Sequence, residues 1–261
     1  DEQKMLVEMT SSFVEQEMLP HEETLERTDT LPPELAATLK KQAMELGLHA
    51  CNLPEEVGGG GLDAVSVMLI EKELGRTSLA LAECAHRPLN ILAACEGEQV
   101  TQFLEPTIKG EKRDCIAMTE PGAGSDLRGM KCKAVCDGDE WVISGEKHFI
   151  SQASVSDYCV LFAATGEEET PKGFKKRISA FLVAFDDPGV EVAPGYRNVS
   201  HRGYTNNILR FDSTRIPIWR MMGPEGDGFR LVNEWLGPTR LTVAATCVAR
   251  AERAFDTALN Y

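Results

Sequence analysis

The 261-residue chain has no CxxC pair, too few basic side chains to balance its acids, and no apolar run approaching the ~18 residues of a membrane-spanning helix. Each shortage excludes a class of protein. Eight cysteines, at positions 51, 84, 95, 115, 132, 136, 159 and 247, show no paired spacing. A chain this long folds without disulfide staples, so they read as reduced thiols. Cys132 and Cys136 stand four apart, but no His or Cys pair completes a zinc site, and they read as small strand residues. The acidic, amphipathic start "DEQKML" is not a secretion signal. Together these features predict no membrane insertion and a cytoplasmic location, or another reducing compartment such as the mitochondrial matrix. With 27 basic against 41 acidic side chains, the formal charge is -14, which argues against nucleic acid or an anionic membrane as the main partner. An anionic ligand then needs a local basic or amide-rich site. What remains, 43% hydrophobic and 26% charged, is a globular chain able to bury a sizeable core.

The period of the apolar residues divides the chain in three. "DEQKMLVEMTSSFVEQEMLP" places Met5, Leu6, Met9, Phe13, Val14 and Met18 on a helical stripe predicted to stop at Pro20. "LPPELAATLKKQAMELGL" repeats the pattern with Leu35, Leu39 and Leu46 inward, prolines near its first turn and Gly47 near its end. A third helix in "LDAVSVMLIEKELGR" has Asp63 as its N-cap and Gly75 as its stop. Further short helices, interrupted at Pro88 and Pro106, complete an all-α domain over residues 1–112, with "EEVGGGGLD" as its most flexible loop. Over 113–222 the period falls to two. "KCKAVCDGDEWVISGEK" turns at Asp137-Gly138, and "DYCVLFAAT", "RISAFLVAF", "VEVAP" and "NNILRFDSTRIP" continue as strands of a mostly antiparallel β domain. Helical period returns from Gly228, with Leu231, Trp235, Leu241, Ala244, Val248 and Ala251 in an apolar face. Residues 223–261 thus read as the start of a C-terminal helical bundle whose remainder is absent. The expected fold class is α+β and multidomain.

Between the helical and β parts lies "AMTEPGAGSDLRG", residues 117–129. It is no phosphate loop, because no Lys-Ser or Lys-Thr follows its glycines. It offers GxG at Gly122 and Gly124, but Leu127 stands where a dinucleotide fingerprint needs glycine, and no βαβ unit surrounds it. Two readings stay open on spacing alone. One is a plain interdomain turn; the other is a loop that exposes main-chain N–H groups to a ligand, with Thr119 and Ser125 as hydroxyl donors.

"AMTEPGAGSDLRGMKCKA", followed some two dozen residues later by "GEKHFISQAS", resembles the paired flavin-binding motifs of the acyl-CoA dehydrogenase family. "LPEEVGGGGLD", "RIP" at 215–217 and "GPEGDGFRLV" leading into "TRLTVAA" match in order, so the resemblance covers essentially the whole chain. It implies FAD as cofactor. Ile116, Ala117, Met118 and Thr119 would line the flavin, with the Thr119 hydroxyl toward the pyrimidine edge, while Gly124 and Ser125 would meet flavin and the thioester arm. Phe149-Ile150-Ser151 would correspond to the family's W-I-T/S strand. Phe149 there keeps a flat apolar surface without the indole N–H, and Ser151 still offers a donor near N5.

The implied reaction is α,β-dehydrogenation of an acyl-CoA thioester to the trans-2-enoyl-CoA, with electrons passed to an electron-transferring flavoprotein. An oxidase that uses oxygen, or a non-catalytic acyl-CoA-binding subunit needing a partner's base, are the alternatives. The resemblance also implies a homo-oligomer, dimer or tetramer. Gly237, Pro238, Thr239 and Arg240 match substrate-lining positions, although Gly237 stands where an acid is common. At the position where some members carry the base, this chain has Thr239, which cannot act as a carboxylate; Glu234, five residues earlier, turns well away from that face of a helix. The base is therefore expected beyond Tyr261. In the segment that encloses the acyl tail in the family, Arg87 is a candidate to face that tail, against the ordinary fate of a solvated helix end before Pro88. Strand alternation directs His148 away from the Phe149 face and makes it structural.

Overall fold

The computed structural model describes residues 1–171 and 173–261. They form two compact units, one of Asp1–Asn90, Asn198–Tyr204 and Trp235–Tyr261, the other of Ile91–Arg197 and Thr205–Glu234.

The first unit opens with five helices: α1 (Glu2–Phe13), α2 (Glu22–Thr28), α3 (Pro33–Glu45), α4 (Ala64–Leu74) and α5 (Leu79–Ala82). Phe13, Val14, Met18, Leu39, Ala43, Ile70, Leu74 and Leu81 share one buried cluster, each large side chain contributing about 1.5–3 kcal/mol by leaving water. Met5 lies outside the predicted stripe, at 69% exposure. The helix also does not stop at Pro20. A π-helical turn over Val14–Met18 and a 3-10 turn over Leu19–His21 carry the chain into α2, and Pro20 sits in the first turn of the new segment, where a missing N–H is no loss. Asp63 caps α4 as predicted, its Oδ1 accepting from Val65 N at 2.8 Å and Ser66 N at 2.9 Å.

The glycine-rich loop is not the slack segment that its composition suggests. The N–H groups of Gly58, Gly59, Gly60 and Gly61 donate to Glu55, Pro54, Ala50 and Leu53 carbonyls at 2.8–3.0 Å. A Cβ on Gly59 would lie 2.3 Å from the Leu53 carbonyl oxygen, so glycine here permits close backbone packing. Arg87 is neither solvated nor unpaired. Its side chain, 11% exposed, meets Glu71 through Nε at 2.5 Å and Nη2 at 3.1 Å, and donates to the Ala82 carbonyl. Burial alone would oppose its charge; the carboxylates of Glu71 and Glu83 outweigh burial and raise its pKa.

The second unit contains α6 (Glu105–Ile108) and eight strands: β1 (Asp114–Ala117), β2 (Lys133–Asp137), β3 (Glu140–Ser151), β4 (Tyr158–Thr170), β5 (Gly173–Ala184), β6 (Val190–Tyr196), β7 (Asn206–Pro217) and β8 (Met221–Met222). Pro106 does not break its helix either; it lies in the first turn of α6, directly after a π turn over Val100–Leu104. The sheet runs β6-β7-β3-β2-β4-β5-β8, with β1 paired to β4. Pairing is antiparallel except for β1 with β4 and β2 with β4. Gly138, at φ 67°, makes the β2–β3 turn, with Asp137 opposite Glu140. Trp141, Ile143, Leu161, Phe181, Leu209, Phe211 and Ile216 form the inward face.

The last helix, α7 (Gly228–Leu259), runs through Pro238. Leu231 and Ala249 are buried, but Leu241 and Val248, predicted on the apolar face, are about half exposed. Its packed side in the first unit is set by Gly75, where a Cβ would come 2.7 Å from Thr246 Cα.

Candidate functional site

The two motif segments, separated in sequence by β2 and the start of β3, are adjacent in the second unit. β1 ends at Ala117, and the chain beyond it lies along β3: His148 N donates to the Thr119 carbonyl at 2.9 Å, and Lys147 Nζ donates to the Met118 carbonyl at 3.0 Å. Lys147 Nζ also meets Glu120 Oε1 at 2.7 Å. The same carboxylate accepts from Lys131 N at 2.6 Å and Cys132 N at 3.0 Å. One buried acid thus closes the loop over 120–132 at both ends. Glu120 and Ala123 exchange backbone hydrogen bonds at 2.9 and 3.1 Å, which makes a tight turn at Pro121-Gly122.

The glycines of this turn have no internal reason to be glycine. Neither Gly122 nor Gly124 has a positive φ, and a Cβ built on either meets nothing within 4 Å. Gly122, Gly124 and Ser125 are exposed, Ile116, Met118 and Thr119 half-buried, and Ala117 buried beside Leu161. Such a surface of accessible backbone and one half-buried hydroxyl suits a planar, hydrogen-bonding ligand that needs close main-chain approach.

On β3, alternation fails at the site. Lys147 is opposite Leu209 and Ile150 opposite Asn207, so β3 carries one residue more than β7 between these pairs. This bulge sends Lys147 and Ile150 inward, with both His148 and Phe149 outside the core. The expectation that His148 points away from Phe149 is therefore wrong: their rings lie 4.5 Å apart, and both reach Tyr196. Phe149 takes φ 55°, a costly conformation for an aromatic residue, and leaves its side chain half exposed. Ile150 belongs to the core at 2% exposure, so its side chain is not available to a ligand. Ser151 is half-buried, with Oγ 3.4 Å from Asn206 Oδ1.

Gly237, Pro238, Thr239 and Arg240 belong to the first unit. Gly237, Pro238 and Arg240 are exposed, while the Thr239 hydroxyl donates to the Trp235 carbonyl at 2.8 Å. That bond occupies its proton within the helix. Sequence reasoning missed Glu120, Lys147 and Tyr196. A lysine at an inward position of an apolar strand was the available signal for the first pair; Tyr196 gave none.

A β unit that brings two motif segments together, in one chain with a helical unit, defines a class, and comparison with known proteins identifies it. Residues 1–111 match the acyl-CoA dehydrogenase N-terminal domain and residues 115–214 the acyl-CoA dehydrogenase middle domain. A probable acyl-CoA dehydrogenase of Bacillus subtilis is 34% identical over all of this chain and 68% of its own length. The short-chain specific mitochondrial acyl-CoA dehydrogenase of Bos taurus is 34% identical over 99% of this chain, which spans 62% of that relative. The acyl-CoA dehydrogenase of Bacillus anthracis, solved in complex with FAD, superposes with a TM-score of 0.86 at 30% identity, covering 100% of this chain and 45% of that one. The chain belongs to the acyl-CoA dehydrogenase family.

Proposed function

We propose that the chain forms the flavin-binding part of an acyl-CoA dehydrogenase, an oxidoreductase that converts an acyl-CoA thioester to the trans-2-enoyl-CoA. The observation that carries this reading is the joining of the two motifs by the His148 N to Thr119 carbonyl bond, beside glycines whose missing side chains leave open space. When bound, FAD would supply the acceptor for the hydride that leaves the substrate's β carbon. Ile116, Met118 and Thr119 would line its ring, with the Thr119 hydroxyl donating to the edge where negative charge gathers on reduction, whereas Ala117, 0% exposed, is out of a ligand's reach, against the expectation from the motif. Phe149 presents its exposed ring and Ser151 its hydroxyl. Gly124 and Ser125 border both flavin and thioester.

Gly237, Pro238, Thr239 and Arg240 line the substrate from α7. Thr239 has no carboxylate and cannot take the α proton, so the base is proposed to lie beyond Tyr261. Electrons pass to an electron-transferring flavoprotein, and the enzyme acts as a homo-oligomer. Among the described residues no helix is long and apolar enough to cross a membrane. All eight cysteines are free, six of them buried, which supports a reducing compartment, the cytoplasm or the mitochondrial matrix.

Anaerobic mixing of the FAD-loaded natural protein with a short alkanoyl-CoA tests the reaction. Loss of the visible flavin band, with recovery on adding electron-transferring flavoprotein, is expected. Equally fast recovery in air alone would assign an oxidase, and an unchanged band would remove the dehydrogenase reading.

A further inference from the structure

The β3 bulge has a counterpart across β7. Ala193 of β6 is opposite Ile208 and Tyr196 opposite Asn206, so β6 also carries one extra residue, at the level where β3 places Ser151 opposite the same Asn206. Gly195 makes this second bulge possible, since a Cβ there would fall 1.8 Å from the Asn206 carbonyl oxygen. The consequence is a stack built over β7. The Tyr196 ring lies 4.1 Å from that of Phe149 at an interplanar angle of 23°, and the Tyr196 hydroxyl lies 3.0 Å from His148 Nδ1. Tyr196 is 39% and Phe149 50% exposed, so burial in a core does not explain the pair. Two irregular strands and one strained backbone position converge on an aromatic contact at the protein surface. A phenyl ring alone is a small, freely turning platform; the Tyr196 ring stacked on it and the His148 ring, tilted 47° at 4.5 Å, fix its plane.

We propose that Tyr196 is a positioning residue for Phe149: it covers one face of that ring, is held by His148, and fixes the other face for the isoalloxazine. This inference rests on the flavin reading above and deepens it. Tyr196 has no part in the chemistry; it acts through the orientation of Phe149, and its loss affects ring contact rather than loop or hydroxyl contacts.

The test is FAD titration of the natural full-length protein and its variants, with affinity read from flavin fluorescence and ring environment from the visible absorption and circular dichroism bands. Tyr196→Ala is expected to weaken FAD by roughly 2- to 12-fold, the range an aromatic pair contributes, and to shift the flavin bands. Tyr196→Phe is expected to restore the bands and most of the affinity, whereas Tyr196→Leu, similar in apolar bulk, restores neither. Thermal melts of the apo forms separate these effects from misfolding, and should Tyr196→Ala fail to fold, Tyr196→Leu against Tyr196→Phe carries the comparison. Unchanged or tighter FAD binding with unshifted bands in Tyr196→Ala or Tyr196→Leu overturns the inference. If Phe149→Ala still weakens FAD in that case, the flavin reading stands alone. A wild-type protein that binds no FAD overturns both.

Discussion

Lys147 Nζ lies 2.7 Å from Glu120 Oε1, with side-chain exposures of 0% and 4%. This contact ties the middle of β3 to the loop after β1, and so joins the two segments that carry the flavin motifs. The pair is not symmetric in its support. Glu120 also accepts from two backbone N–H groups, whereas the only other bond described for the Lys147 ammonium is to the Met118 carbonyl. Removing one member of such a buried pair costs about 3–5 kcal/mol.

Glu120→Ala is accordingly expected at the upper end of that range, since it strands a buried ammonium and two amide donors. Lys147→Met is expected at the lower end, because the carboxylate keeps its amide partners. Urea unfolding of both variants and the double variant measures this; the double is expected to cost less than the sum by about 0.5–3 kcal/mol. Equal, small losses in both single variants would show that the contact does not hold the loop.

Gly122→Ala and Gly124→Ala separate folding from binding. With open space at both positions and no positive φ, each is expected to leave stability unchanged or raised by roughly 0.4–1 kcal/mol through the unfolded chain. FAD affinity is expected to fall in both, because the added methyl occupies the approach to the backbone. A variant with lowered stability and intact FAD binding would mean that the glycine serves the turn.

Much of this architecture is legible in the sequence. Asp63 and Asp137-Gly138 act through local geometry, a side chain reaching its own helix start and a turn that needs φ > 0, so a few residues suffice to predict them. β3 and β7 follow from alternation for the same reason, whereas β4 and β5, buried without a break over 158–163 and 178–183, follow from continuous apolar runs. The site is legible only as a resemblance, because its shape depends on register. Whether β3 gains a residue between Lys147 and Ile150 is decided by β7, some sixty residues later, and the orientation of His148 and Phe149 follows from it. Pro20 and Pro106 mislead similarly: the π turns before them reset the helix, and nothing in either segment's composition announces a π turn.

Thiol chemistry offers a direct check on burial. Burial pushes the Cys51 and Cys132 thiols up to about 11 and Cys95 to about 12, and raises Cys115 and Cys159 further. Cys84 is buried as well, whereas Cys136 and Cys247 are exposed. A thiol reagent at neutral pH is expected to modify Cys136 and Cys247 of the native chain within the first phase, and the other six only after denaturation. Peptide mapping by mass spectrometry locates the label. Early modification of Cys132, whose N–H is bonded to Glu120, would show that the motif loop opens.

The Asp63 cap predicts an acid-dependent contribution. Its carboxylate accepts from Ser66 N, the Ser66 hydroxyl and Val65 N, and these bonds hold its pKa below the ordinary 3.8. A depressed folded-state pKa stabilises the protein above the unfolded value, and that stabilisation is lost as pH falls through the folded one. Wild type is therefore expected to unfold at higher urea than Asp63→Ala at pH 7, with the gap narrowing below about pH 4. Asp63→Asn keeps an acceptor for the amides without titrating. Its separation from Asp63→Ala is expected to stay constant with pH, so a gap that narrows in both comparisons would place the acid sensitivity elsewhere in the unit.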